Sequence, residues 1–200
     1  MDNLRKPGLS PATLIDAGVA GGTLVLYDAF PQAYLVLIEP VREFSEGISK
    51  LLESRDGEHV EAAIGAVSGS AVLHVDPEVP GVSSVLRRAG GAPRSTEERT
   101  VTVTTLDELW RRREWAPPFG LKLDVEGYEH EAVEGAAELL GETQFVIAEV
   151  SVLERYEGGH TFAGFVLQMD SYGFALCDIL DGARQANREL GYVDAMFRLR

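Results

Sequence analysis

A chain of 200 residues with 18 basic and 32 acidic side chains, a formal net charge of −14, is poorly suited to nucleic acid or to an anionic membrane surface, since both reward positive charge. Its composition, 45% apolar and 25% charged, is that of an ordinary globular domain long enough to bury a core. No run reaches the ~18 apolar residues that a membrane span needs. Met1 leads into a charged segment rather than an apolar one, so a cytoplasmic protein without a signal peptide is expected. A single cysteine, Cys177, excludes an internal disulfide, and its apolar surroundings predict a buried thiol.

Strands and helices alternate nearly to the end of the chain. Residues 14–17 read as a short apolar strand, followed by a glycine-rich turn and a helix over 23–30 that Pro31 stops. Residues 34–38 form a continuous apolar run, as expected of a strand buried on both faces. After Pro40, Phe44, Ile48, Leu51 and Leu52 recur at helical spacing. Strands are predicted over 59–64 and 71–75. Residues 76–98, with Pro77, Pro80 and Pro93, read as a long loop that can serve as a lid over a site. A half-exposed strand over 99–104 leads into Thr105-Leu106-Asp107-Glu108, which has the pattern of a helix capping box.

Pro117 and Pro118 end that helix. A strand over 120–125, a helix over 129–140, a strand over 145–150 and a helix over 162–172 follow. The last two strands, 174–179 and 192–199, have no helix between them and predict an antiparallel pair. The alternating order argues for an α/β sandwich built on a mostly parallel sheet.

The first turn carries the chemistry. Asp16 closes the strand, Gly18, Gly21 and Gly22 follow, and twenty-three residues after Asp16 the second strand ends in Glu39. Glycines let the backbone approach a ligand, and an acid at the second strand end can accept both hydrogen bonds of a ribose diol. The spacing is not the G-x-G-x-x-G of a dinucleotide fold, and no Lys-Ser/Thr follows, as a phosphate loop requires. An acid beside the glycines repels a pyrophosphate but suits a cation. That charge logic favours S-adenosylmethionine, with its sulfonium and ammonium groups.

Five stretches resemble the FkbM-type methyltransferases. They are Ile15-Asp16-Ala17-Gly18-Val19-Ala20-Gly21-Gly22-Thr23, Leu37-Ile38-Glu39-Pro40-Val41, Val103-Thr104-Thr105-Leu106-Asp107-Glu108-Leu109, Leu121-Lys122-Leu123-Asp124-Val125-Glu126-Gly127-Tyr128-Glu129 and Val146-Ile147-Ala148-Glu149. The fourth, similar to the family's K-I-D-V-E-G-x-E signature, is the most specific. Together they run in order from 14 to 150. The resemblance implies one domain over 1–200 with a Rossmann-like class I methyltransferase sandwich, its seven-stranded sheet mostly parallel with an antiparallel last strand. It also implies methyl transfer from S-adenosylmethionine to a hydroxyl oxygen of a small molecule such as a sugar or natural product. Two departures stand out. The loop reads Val-Ala-Gly-Gly where many members carry Ala-Asn-x-Gly, and Ala66 replaces a polar residue after the third strand.

On this reading the cofactor-binding candidates are Asp16, Gly18, Ala20, Gly22, Thr23, Glu39, Pro40, Ala63, Ile64 and Asp124. Asp124 is the first candidate for the base that takes the hydroxyl proton, Glu126 the second and His130 the third. Carboxylates with a histidine also suit a divalent metal, but the spacing favours no metal. Glu149, at another strand end, is read as either a site acid or a helix cap, and Lys122 as structural. Ser83, Ser84, Arg87 and Arg88 lie in the expected lid, where they could meet a polar or anionic substrate. Two other readings stay open: a nicotinamide-dependent oxidoreductase, and a non-catalytic protein that keeps the nucleoside cradle. The acceptor and the oligomeric state are not legible.

Overall fold

The computed structural model describes residues 8–89, 96–185 and 188–200. Residues 90–95 of the expected lid, and the segment 1–7 ahead of the first strand, lie outside the described residues. Among the described residues, ten strands and five α-helices follow one another along the chain. The large sheet contains β1 (Thr13–Ala17), β2 (Tyr34–Ile38), β3 (Gly57–Val60), β7 (Phe119–Leu123), β8 (Thr143–Ser151), β9 (Phe174–Arg184) and β10 (Leu190–Leu199), in the order β3-β2-β1-β7-β8-β10-β9. β1, β2, β3, β7 and β8 are mutually parallel, and β10 pairs antiparallel with both β8 and β9. As expected, the last two strands form an antiparallel pair at one edge of the sheet, β10 lying between β8 and the edge strand β9.

Both faces of this sheet are covered, which is why its strands read as apolar runs. Ile15, Ala17, Val36, Ile38, Leu121 and Leu123 pack into one core, and Leu14, Leu35, Leu37, Phe145 and Ile147 into the other. Each fully buried Leu, Ile or Phe among them contributes about 1.5–3 kcal/mol to folding.

Two expected elements, and the expected burial of Cys177, differ from what is observed. The strand over 59–64 is two strands: Ala62 N–H donates to the Val60 carbonyl at 3.1 Å, a tight turn that swings the chain out of the large sheet. The outgoing piece, β4 (Ala63–Ile64), joins a second sheet of order β4-β6-β5, with β5 at Gly69–Val75 and β6 at Glu97–Thr104. The helix over 129–140 ends early, as α4 (Glu129–Glu134). There Gly135 packs against the Gly65 carbonyl, where a Cβ would come within 2.1 Å. The Asp107 carboxylate accepts from the N–H groups of Glu138 and Leu139 at 3.0 and 2.9 Å, giving the backbone an alternative to helix. Cys177 is exposed on β9, because that strand is the sheet edge and its outward residues meet solvent.

The remaining helices are α1 (Leu24–Ala29), α2 (Ser45–Leu52), α3 (Leu106–Arg113) and α5 (Phe162–Ser171). Thr105 caps α3 by accepting from Glu108 N–H at 3.0 Å. Within 76–98, a 3-10 turn forms at Pro80–Val82, and single bridges tie Ser84 to His74 and Arg88 to Tyr156. Among the described residues, no helix is long and apolar enough to cross a membrane.

Candidate active site

The parallel strands end at one rim, and the acids singled out from the sequence gather there. A cavity of about 730 Å³, open solvent at its mouth included, lies against this rim. Of the expected site residues, Gly18, Ala20, Glu39, Pro40, Ala63, Ile64, Asp124 and Glu126 line it, as do Ser83, Ser84 and Glu149. Gly22 and Thr23 line a second depression, which shares Gly18, Ala20 and Asp124 with the first.

Asp16 touches neither, being fully buried beneath the rim. The Tyr27 hydroxyl donates to its Oδ2 at 2.5 Å, and Lys122 Nζ lies 3.6 Å from its Oδ1. Strand register explains this pairing: Asp16 and Lys122 sit side by side on β1 and β7 and point to the same face. Lys122 also donates to Asp124 Oδ2 at 3.0 Å. Burial works against its charge, but Asp16 and Asp124 outweigh it and raise the pKa above the usual lysine range. Asp16 therefore meets the site only through Lys122, a contact set by the register of β1 against β7.

Glu39 is buried immediately after β2. Its Oε2 accepts from Ala20 N–H and its Oε1 from Val41 N–H, both at 2.9 Å, so the carboxylate clamps the glycine turn to its own strand end. Burial raises its pKa, and the two backbone donors oppose that rise. Each oxygen retains a second lone pair for a ligand.

Elsewhere in the cavity lining, the turn after β7 brings Glu126 to φ +52°, a left-handed conformation uncommon outside glycine. Ser84 Oγ donates to the Glu126 carbonyl at 2.7 Å and anchors the turn. The Glu126 carboxylate accepts from the Tyr156 hydroxyl and from Arg155 Nη2 at 3.1 Å, while Arg155 Nη1 donates to Glu149 Oε1 at 2.6 Å. Asp124, Glu126 and Glu149 each offer an oxygen within 4.8 Å of the others. Arg155 offsets their repulsion, and its guanidinium is fixed over the Tyr192 ring at 4.4 Å. Neither Arg155 nor Tyr156 belongs to a motif. The only cue in the sequence is a basic residue shortly after the acid of β8.

His130, the third catalytic candidate, is outside the cavity. It stacks on His160 with ring centroids 3.7 Å apart, and burial, then the His160 charge, lowers its pKa to about 4. It projects from α4 and lines neither of the two depressions at the rim.

Glu149 gives the site a pH signature. Burial, reinforced by Asp124 and opposed by Arg155, pushes its pKa from the ordinary 4.5 up to about 7. The folded chain therefore keeps a proton that the unfolded chain releases. Its stability contribution is complete below about 4.5 and is lost as pH rises towards about 7. Glu149→Gln is expected to flatten the fall in melting temperature between pH 5 and 7.5. Thermal melts across that range check it; an unchanged slope overturns it.

Strand order, the inserted antiparallel strand and a ligand-sized cavity at the carboxyl ends define a Rossmann-like class I methyltransferase fold. The Methyltransferase FkbM domain model matches residues 16–176, and the chain belongs to that family. Among solved structures, a methyltransferase FkbM from Methylobacillus flagellatus KT is similar with a TM-score of 0.56 and 14% identity, over 94% of this chain and 43% of that one. This chain thus spans less than half the length of that structure. Magnesium protoporphyrin IX methyltransferase (ChlM) from Synechocystis PCC 6803, crystallised with bound SAM, has a TM-score of 0.51 and 12% identity, over 96% of this chain and 72% of that one. Fibrillarin from Aeropyrum pernix, with natively bound S-adenosyl-L-methionine, gives 0.51 and 12%, over 96% and 68%. No curated protein matches the chain.

Proposed function

We propose that the chain transfers a methyl group from S-adenosylmethionine to a hydroxyl oxygen of a small acceptor, such as a sugar or natural product. The observation that carries this reading is the polarity of one cavity. Glu39, a carboxylate able to accept a ribose diol, lines it together with the acids Asp124, Glu126 and Glu149. The lining suits the cofactor. Glu39 would hold the ribose, and Ile38, Val41, Ala63 and Ile64 offer apolar walls for an adenine. The acids compensate a sulfonium charge. When bound, S-adenosylmethionine supplies an electrophilic methyl group.

This chain's residues would do the rest. Asp124, oriented by Lys122, accepts the acceptor's hydroxyl proton. Arg155 keeps Glu126 and Glu149 apart in charge and fixed in position, so that the hydroxyl meets an ordered wall.

Calorimetric titration with S-adenosylmethionine and S-adenosylhomocysteine, with NADH as control, tests it. Micromolar binding of the first two and none of the third is expected. Because the sulfonium favours ionised neighbours, S-adenosylmethionine binding near pH 6.5 is also expected to release more protons than S-adenosylhomocysteine binding. Buffers of different ionisation enthalpy read that difference. Failure to bind either adenosyl ligand overturns the reading.

A further inference from the structure

Ser84 lines a second cavity as well as the first, and the Arg155–Glu126 ion pair reaches from one to the other. We propose that this second cavity, about 1340 Å³ with open solvent included, receives an anionic group of the methyl acceptor, a carboxylate or a phosphate, and that Arg88 binds it. The identity of that group as part of an acceptor rests on the methyltransferase reading above.

Arg88 is exposed like other arginines of the chain but is paired less closely than they are. Arg42, Arg55 and Arg111 each pair with an acid at 2.8, 2.6 and 2.6 Å. The Arg88 guanidinium is 3.7 Å from Glu126, a carboxylate already engaged by Arg155 and Tyr156. Its hydrogen bond to the Tyr156 hydroxyl is long, at 3.4 Å. A guanidinium carries five N–H donors, so most of its capacity remains for a ligand.

The group is also held in place. Ala89 N–H donates to the Arg155 carbonyl at 2.9 Å and Glu157 N–H to the Arg87 carbonyl at 2.8 Å. These bonds fix the backbone on both sides of Arg88, and its guanidinium lies over the Tyr156 ring at 5.4 Å. A planar donor fork ordered in advance loses little entropy when it grips a carboxylate or phosphate. Arg87 lines the same cavity, and its pairing with Glu98 at 3.0 Å is exposed and exchangeable. Of the acids there, Asp76 accepts the N–H groups of Glu78 and Val79 through Oδ1, and Glu154 and Glu157 are exposed. In a chain of net charge −14 an anion gains nothing from the overall field, so selection has to come from such a local arginine.

The test is a titration of the whole chain with inorganic phosphate, followed by the arginine Nε–H signals in NMR spectra. The Arg88 signal is expected to shift saturably, while Arg111, exposed and paired with Glu138, does not. Arg88→Ala is expected to weaken phosphate binding by about tenfold or more, a loss typical of one charge-assisted contact, and Arg88→Lys to restore part of it. Binding of S-adenosylhomocysteine should be equal in all three proteins, which also shows that the variants fold. An Arg88 signal that follows Arg111, or saturable phosphate binding that survives Arg88→Ala unchanged, overturns the proposal. Absence of S-adenosylhomocysteine binding in the unmodified chain would instead sink the methyltransferase reading, whatever the phosphate titration gives.

Discussion

Glu39→Ala is expected to weaken S-adenosylhomocysteine binding by about 100-fold, the loss that follows when a buried, hydrogen-bonded charge is removed from a binding site. Two effects add. The ligand loses the acceptor for its ribose diol, and the glycine turn loses its clamp, since Ala20 N–H and Val41 N–H are both left without the carboxylate they share. Each unpaired buried donor costs about 1–3 kcal/mol, less where cavity water can reach it. Urea unfolding should therefore show a stability loss of a few kcal/mol alongside the binding defect. Glu39→Gln separates the two effects. Its remaining carbonyl oxygen keeps one backbone N–H, so stability recovers in part. The amide NH₂ cannot accept from the second ribose hydroxyl, so affinity stays low. If calorimetry finds Glu39→Ala within threefold of the unmodified chain, Glu39 is a structural clamp and the ribose lies elsewhere.

What the sequence discloses and what it hides follow a physical division. The places of Gly18 and Glu39 are legible because a strand, a turn and the next strand end are local, and parallel packing makes those strands continuous apolar runs; that Asp16 lies buried beneath the rim and lines neither cavity is not. Lys122 is half legible. Alternation along Phe119–Leu123 says correctly that it leaves the face of Leu121 and Leu123. That it then meets Asp16 depends on register between strands more than a hundred residues apart. Arg155 and Tyr156 are invisible for the same reason, since each contacts Glu126 across about thirty residues of chain. The early end of α4 is set by Asp107, which is equally remote. His130 misleads because its spacing from Asp124 and Glu126 is right for a site, while packing against His160 turns it elsewhere.

That division has an energetic counterpart at the rim. Asp124, Glu126 and Glu149, with Asp16 beneath them, form a negative cluster held by two cations. Lys122 bridges Asp16 and Asp124, and Arg155 bridges Glu126 and Glu149. The motif acids are therefore preorganised by Lys122, which belongs to the signature itself, and by Arg155, which no motif names, and a cationic ligand meets them already in position.

The second large effect concerns the loop backbone. Gly18→Ala is expected to cost more than about 4 kcal/mol, or to prevent folding, whereas Gly21→Ala three residues on should change stability by less than about 1 kcal/mol. Gly18 has φ +83°, and a Cβ there would lie 1.8 Å from the Asp124 carbonyl oxygen and 2.6 Å from its carbon. The chain cannot retreat, because both sides are fixed. Gly18 N–H donates to the Ile38 carbonyl, and Asp124 N–H donates to the Ala17 carbonyl, each at 2.9 Å. A methyl group must then push the end of β7 away and carry Asp124 off the rim, so any folded Gly18→Ala protein should also lose cofactor affinity. At Gly21 no atom lies within 4 Å of a Cβ, although it belongs to the same turn. Urea denaturation of the two variants side by side decides the matter. Equal losses would mean that the turn needs glycine for flexibility; a loss confined to Gly18 would mean that contact between the first turn and the signature strand builds the site.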